Sequence, residues 1–385
     1  MKILFAADLS FNYFPDFPGK EKAESAMASA AARLAQADFS VVNLENIFGD
    51  PSEGKAIIKS GPNLISSPAF MAYVHALNPT VVGLANNHTK DYGDGPMMDT
   101  MQMLRDDGRI CIGAGKNLDD AYKSAILEKD GVRAAIIAVC ENEFGTASAC
   151  DSGTAGYSLT RMTHAIRNAR RDGCRPVVYF HGGTEYAPFP SPGKTELYRH
   201  FIDIGAEAVI AMHTHCPQGY EMYEGKPIVY SMGNFFFPLK NPPKRKSWQY
   251  GYMTELSFDE DGVSMILHPY SFDMDGITML EGADKAAFEE YLACLSAPIG
   301  DADEIRAYFD GWCLSSNYSN YLSGYKRELF ADGNTEKIKV LKNLFICEAH
   351  NELLCNTMSM IFEGRVSAAE ERLARIEKLQ NMEIV

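Results

Sequence analysis

The chain has 385 residues, 46% of them hydrophobic, enough for one large domain or two with a full core. Its formal net charge of −15 argues against nucleic acid or an anionic membrane surface as a partner, because either would call for a basic face. Nine cysteines, an odd number with no Cys-x-x-Cys pair, indicate reduced thiols rather than a disulfide framework.

The opening run, Met1 to Ala7, is too short for a signal peptide and leads straight into polar sequence. No segment approaches the roughly 20 apolar residues of a membrane span. A cytoplasmic protein without a membrane span is therefore expected. Lys2 to Ala7 is a buried strand ending at Asp8, and Lys20 to Ala37 has helical spacing. Phe39 to Leu44 is a second strand, followed by Glu45. Gly49 to Ser67 is polar and Gly/Pro-rich, hence a loop; Pro68 to Leu77 is a helix. Thr80 to Ala85 is a third strand and runs into Asn87 and His88. A helix from about Pro96 to Asp107, short strands at Ile110 to Gly113 and Ala125 to Leu127, and a long strand from Arg133 to Cys140 come next. Arg161 to Asp172 is an amphipathic helix, and the strand Arg175 to Phe180 ends at His181. A helix from about Gly193 to Ile204 precedes the strand Val209 to Met212, which ends at His213-Thr214-His215. Lys226 to Tyr230 is a strand followed by Gly233 and Asn234.

This alternation predicts an α/β protein with a mostly parallel sheet and helices on its faces. Sites in such sheets lie beyond the carboxyl ends of the strands. Five strands here end in a side chain able to ligate a metal: Asp8, Glu45, Asn87 with His88, His181, and His213 with His215. Five is more than turn chemistry accounts for. Carboxylate, amide oxygen and imidazole suit Mn, Fe or Zn. Two such ions about 3.5–4 Å apart form a clamp for phosphoryl transfer or hydrolysis. Glu45, with two oxygens, suits the bridge. His88 suits a general acid, since an imidazole titrates near neutrality.

Asn-Leu-Glu (43–45), Leu-Ala-Asn-Asn-His (84–88) followed by Asp-Tyr-Gly (91–93), Gly-Ala-Gly-Lys-Asn (113–117), His-x-Gly-x-Glu-Tyr (181–186), His-x-His-x-x-Gln (213–218) and Tyr-Ser-Met-Gly-Asn-Phe (230–235) occur in this order. The set resembles the CapA family of capsule and poly-γ-glutamate synthesis proteins, which is similar in fold to calcineurin-like metallophosphoesterases. The likeness covers residues 1 to about 270. It implies two packed sheets flanked by helices, with one or two divalent ions held by Asp8, Glu45, Asn87, His181, His213 and His215. By the same resemblance a metal-bound hydroxide attacks and His88 is the acid. Glu185, Tyr186 and Asn234 are candidate substrate contacts, and Asp91 either orients His88 or caps the next helix.

Three departures stand out. The broader superfamily has Asp-x-His at the first strand where this chain has Asp8-Leu9-Ser10. Gly182 replaces a family Trp, which would widen the site or change what stacks there, and Thr214 replaces a Pro. Lys240 to Lys246 is a basic, Pro-rich loop, most simply a solvated one. Residues 1–274 form the CapA-like domain in this reading. Residues 275–385 form a helical extension, with helices at Ala283 to Leu295, Asp303 to Phe309, Asn334 to Ile361 and Ser367 to Met382. It carries no catalytic constellation and is a candidate to cap the sheets, cover the site or make a homo-oligomer contact. Two functions fit. One is a metal-dependent hydrolase of a phosphoester, or of an amide in a γ-glutamyl or cell-envelope polymer, its substrate a small molecule or an anionic polymer. The other is a non-catalytic metal-binding factor in capsule or poly-γ-glutamate synthesis.

Overall fold

The computed structural model describes all residues except 13, 15, 53, 54, 240–242, 244, 261, 316–334 and 385. Two sheets pack face to face. From edge to edge the first contains Ile277–Met279, Val263–Phe272, Tyr250–Phe258, Lys2–Leu9, Phe39–Leu44, Val81–Gly83 and Ile110–Ile112, with Asn234–Phe236 also paired to Lys2–Leu9. The second runs Tyr220–Tyr223, Lys226–Val229, Ala208–Met212, Arg175–His181, Val132–Cys140 and Ala125–Lys129. The two sheets with helices on their outer faces are the architecture the resemblance implied.

Parallel pairing occupies the middle of the second sheet and, in the first, runs from Lys2–Leu9 to the edge strand Ile110–Ile112. Tyr250–Phe258, Val263–Phe272 and Ile277–Met279 form an antiparallel meander against the first strand. The central strands of the second sheet are buried on both faces, which is why they read as unbroken apolar runs. Val177, Tyr179, Ile210 and Met212 face the core between the sheets. Their neighbours Val178, Phe180, Val209 and Ala211 face the helices Leu159–Arg171 and Pro192–Asp203. Tyr179 ties the sheets together by donating its hydroxyl to the Ala6 carbonyl at 2.5 Å. Gly83 makes room for that ring: a Cβ there would lie 2.9 Å from Tyr179 Cε1.

Register levels the strand ends. Cys140, His181 and Met212 lie side by side across the second sheet. Asp8 pairs with Asn43 and Asn234 in the first. The residues that follow these positions therefore emerge along one edge.

The C-terminal helices are Gly282–Ser296, Ala302–Leu314, Thr335–Ile346, Glu348–Phe362 and Val366–Gln380. The single helix expected from 334 to 361 is two, because Cys347 is extended (φ −72°, ψ 125°) and starts a new helix as its N-cap; Asn334 lies outside the described residues. No Gly or Pro marks that break. Glu348–Phe362 docks on the sheet domain through carboxylates. Glu352 accepts from Ser191 Oγ at 2.5 Å and from the Gly193 N–H at 2.6 Å, completing the N-terminus of Pro192–Asp203. Glu352→Ala is expected to lower stability by about 1.5–3 kcal/mol, the range for hydrogen bonds to a charged group. Thermal unfolding monitored by circular dichroism would show it, and an unchanged midpoint would mean that this contact does not hold the helix.

Candidate metal centre

Asp8, Glu45, His181, His213 and His215 converge where the two sheets meet, and all five are buried. Donor atoms of Glu45, His181 and His213 lie within 4.8 Å of one another, as do those of Asp8, Glu45 and His215. Glu45 belongs to both triads, so its carboxylate stands where a bridge would. His181 Nε2 lies 3.0 Å from His213 Nδ1, 3.1 Å from Asn87 Oδ1 and 3.5 Å from Glu45 Oε1. Asn87 thus joins the first triad.

The His213-Thr214-His215 backbone is strained to present both rings. His213 has φ 103° and His215 φ 55°, values that side-chain-bearing residues seldom adopt. Three contacts hold it. Asp8 Oδ2 accepts the His213 N–H at 3.0 Å, the Tyr186 N–H donates to the Thr214 carbonyl at 2.7 Å, and Thr214 Oγ1 donates to the Cys216 carbonyl at 2.9 Å. A proline at position 214 could supply none of the hydroxyl contacts, so Thr214 does by hydrogen bonding what a rigid ring would do covalently.

Electrostatics mark the centre as a cation site. Both Glu45 oxygens are buried and have no hydrogen-bond partner among the described residues, an arrangement that costs free energy unless a charge is supplied. Burial opposes ionisation of Glu45, but His181, His215 and His88 outweigh it and bring its pKa down to about 2. Burial likewise opposes charge on His181, yet Glu45 and Asp8 raise it to about 10. His213, buried and facing His181 and His215, is held well below the usual imidazole range. Without metal, then, His181 carries a proton where a divalent ion would place its charge, and Glu45, Glu185 and Asp8 raise His215 as well, against the effect of burial. The residues fit such an ion, and the oxygen and imidazole donors suit Mn, Fe or Zn.

His88 stands at the mouth. Its Nδ1 lies 2.6 Å from Asp91 Oδ2, and its Nε2 faces Glu45 Oε1 at 3.8 Å. Asp91 also receives the Lys59 ammonium at 2.6 Å and the Leu64 N–H at 2.7 Å. The helix Asp94–Asp106 begins after Gly93 with no side-chain cap. Asp91 therefore orients His88 and does not cap that helix. Glu185 lines a cavity of about 180 Å³ together with Asn87, His88, Glu143 and His213. Tyr186 stacks against Trp248 at 6.1 Å and lies under the Arg245 guanidinium at 4.7 Å. Arg245 belongs to the basic loop, of which 240–242 and 244 fall outside the described residues. Asn234 is fully buried behind His215 and faces its Nδ1 with Oδ1 at 2.8 Å. That contact orients the ring and places Asn234 away from the cavity wall.

The space beside Gly182 is occupied. A Cβ on Gly182 would meet Glu141 Cγ and Phe180 Cε1 at 2.6 Å, so the Glu141 side chain fills that space. Ser10 is buried with its hydroxyl unpartnered among the described residues. Several contributors escaped the sequence reading. Asn43 donates to Asp8 Oδ1 at 2.8 Å, Lys59 braces Asp91 from a loop, and Glu143, Cys347 and His350 line the cavity. Only Asn43, two residues before Glu45 on one strand, carried a local signal.

The chain is 33% identical over 165 residues to the PGA biosynthesis protein CapA of Bacillus subtilis (strain 168), covering 42% of this chain and 43% of the relative. It is 30% identical over 164 residues to the capsule biosynthesis protein CapA of Bacillus anthracis, covering 41% of this chain and 40% of the relative. The match thus spans less than half the length of these relatives. Among solved structures, the 5′-nucleotidase precursor of Thermus thermophilus aligns at 12% identity with a TM-score of 0.42, over 71% of this chain and 54% of that one. The NAD nucleotidase of Haemophilus influenzae aligns at 14% identity with a TM-score of 0.40, over 74% and 54%. The model of one family, the bacterial capsule synthesis protein PGA_cap, matches residues 7–239, which is more than half of the chain, and the chain belongs to that family.

Proposed function

We propose that this protein is a metal-dependent hydrolase acting on a phosphoester or on an amide of a γ-glutamyl or cell-envelope polymer. The observation that carries the reading is Glu45, a buried carboxylate whose oxygens accept no hydrogen bond among the described residues and which is shared by two ligand triads, with the His88–Asp91 pair at their mouth. Bound divalent ions would supply Lewis-acid activation of water and of the scissile group. Asp8, Glu45, Asn87, His181, His213 and His215 would hold them. The Asp91 carboxylate fixes the His88 ring through Nδ1, so that Nε2 is turned toward the leaving atom to deliver a proton. Glu185 bounds the substrate side of the cavity. The glutamyl alternative draws on the names of the relatives, which are capsule and PGA biosynthesis proteins.

The test is elemental analysis of the purified protein alongside turnover of aryl phosphate mono- and diesters and a γ-glutamyl amide panel. Bound Mn, Fe or Zn with turnover on one class supports the reading and names the bond. Protein with no metal under any loading condition would overturn it. The unpartnered Ser10 hydroxyl, where the superfamily places an imidazole, favours a second reading: a metal-binding factor without turnover. Stoichiometric metal with no hydrolysis of either class would select that one.

Metal uptake should release a proton. His181 is protonated at neutral pH because its pKa in the metal-free fold is about 10, and coordination requires the neutral ring. Affinity should therefore climb about tenfold per pH unit above neutrality and level off near the His181 pKa. Titration calorimetry in buffers of different ionisation enthalpy reads this as proton release, from His181 and, where the second triad fills, from His215, which Glu45, Glu185 and Asp8 raise against the effect of burial. Uptake of metal with no proton release would place the His181 proton elsewhere.

A further inference from the structure

A second set of donors lies outside the six residues assigned above. We propose that Glu143, Cys347 and His350 form a separate zinc-type site that joins the helical extension to the sheet domain at the cavity mouth. One ligand atom from each lies within 4.8 Å of the other two. Three donors around one tetrahedral zinc stand about 3.3–3.8 Å apart, so small side-chain rotations close the set. Thiolate, imidazole and carboxylate together are a zinc-type donor combination, and the soft sulfur separates it from the oxygen and imidazole centre.

The ligands are positioned by the chain on both sides. Cys347 is the N-cap of Glu348–Phe362 and His350 lies in its first turn, so one helix start presents both. Glu143 follows the strand Val132–Cys140. The two segments are clasped next to the ligands: Glu348 accepts from the Asn142 N–H at 2.9 Å and from Asn142 Nδ2 at 2.7 Å. All three ligands line the same cavity. The Glu143 carboxylate faces His213 Nε2 at 3.8 Å. This pocket accumulates carboxylates, and a cation would relieve their repulsion. Glu141, Glu143 and Glu185 all line it, and of these Glu141 pairs with the Lys194 ammonium.

The consequence is an extension fastened by metal as well as by packing. The test loads the full chain with Co2+ and records its absorption spectrum, because thiolate-to-cobalt charge transfer in the near ultraviolet reports sulfur ligation and no oxygen or imidazole ligand produces it. The expected result is such a band, absent from Cys347→Ser and weakened in His350→Ala, with each variant losing about one equivalent of zinc. His350→Ala keeps the thiol and covers the case in which Cys347→Ser fails to fold. Cobalt-loaded protein without the band, or a band that survives in Cys347→Ser, would overturn the proposal. The band does not depend on whether Glu45 and its partners take metal, so this outcome and that of the hydrolase reading are read separately.

Discussion

Glu45→Gln is expected to remove metal from both triads at once, with turnover lost in proportion. Each triad has two ligands of its own, and Glu45 is the one residue they share. The amide keeps the volume, so the packing around position 45 is preserved. It removes the negative charge that three histidines face and turns one acceptor into a donor aimed at them. Removing an outer-shell partner typically costs about 10–100-fold in metal affinity, and loss of a shared ligand should exceed that. Elemental analysis after dialysis against limiting metal is the measurement. A Glu45→Gln variant holding two equivalents at wild-type affinity would sink the bridging role. The substitution also has a signature without metal. Glu45 and His181 stabilise one another as an ion pair in the metal-free fold. The Glu45 part is present above its unfolded pKa of 4.5 and is lost as pH falls toward about 2. The His181 part is present below 6.5 and is lost as pH rises toward about 10. Metal-free wild type should therefore gain most over the variant between these limits, at mildly acidic pH.

His88→Ala should leave metal content intact and lower kcat by about 10²–10⁴-fold, the usual contribution of a positioned general acid. The ring contacts Asp91 and faces Glu45, and neither metal triad includes it. The loss should depend on the leaving group. Substrates releasing a stable anion, such as a nitrophenolate, need little protonation and should be nearly spared, whereas alkyl esters or amides should show the full effect. An equal loss across that series would mean that His88 acts by binding and not by proton transfer. Loss of metal in the variant would make it a ligand.

The site was legible where chemistry sits at the end of a strand. Asp8, Glu45, His181 and His213 each follow an apolar run, and level registers bring them together. The direction of Asp91 was not legible, because a residue three positions after His88 can serve the histidine or the next helix equally well. Lys59 reaches the centre through a tertiary contact that no local pattern encodes. Cys347 and His350 are separated from Glu143 by about half the chain, and a Cys-x-x-His among ordinary helical sequence gives no warning. In the fold, the meander from 250 to 279 went unread because its strands sit on an antiparallel edge of the sheet, where one face is partly exposed and the apolar runs are broken. Val263–Phe272 breaks its apolar run at His268 and carries Pro269, which argues against a strand on sequence grounds.

The backbone at His213 and His215 has a consequence for how the chain can change. Each residue occupies a conformation that glycine or asparagine would adopt at lower cost, on the order of 1–3 kcal/mol for such positions. Random substitution screened for heat resistance would thus favour the residues that erase the ligands. The histidines persist only where something other than robustness is under selection, and a homologue carrying glycine at both positions would be a sturdier fold that had given up its metals.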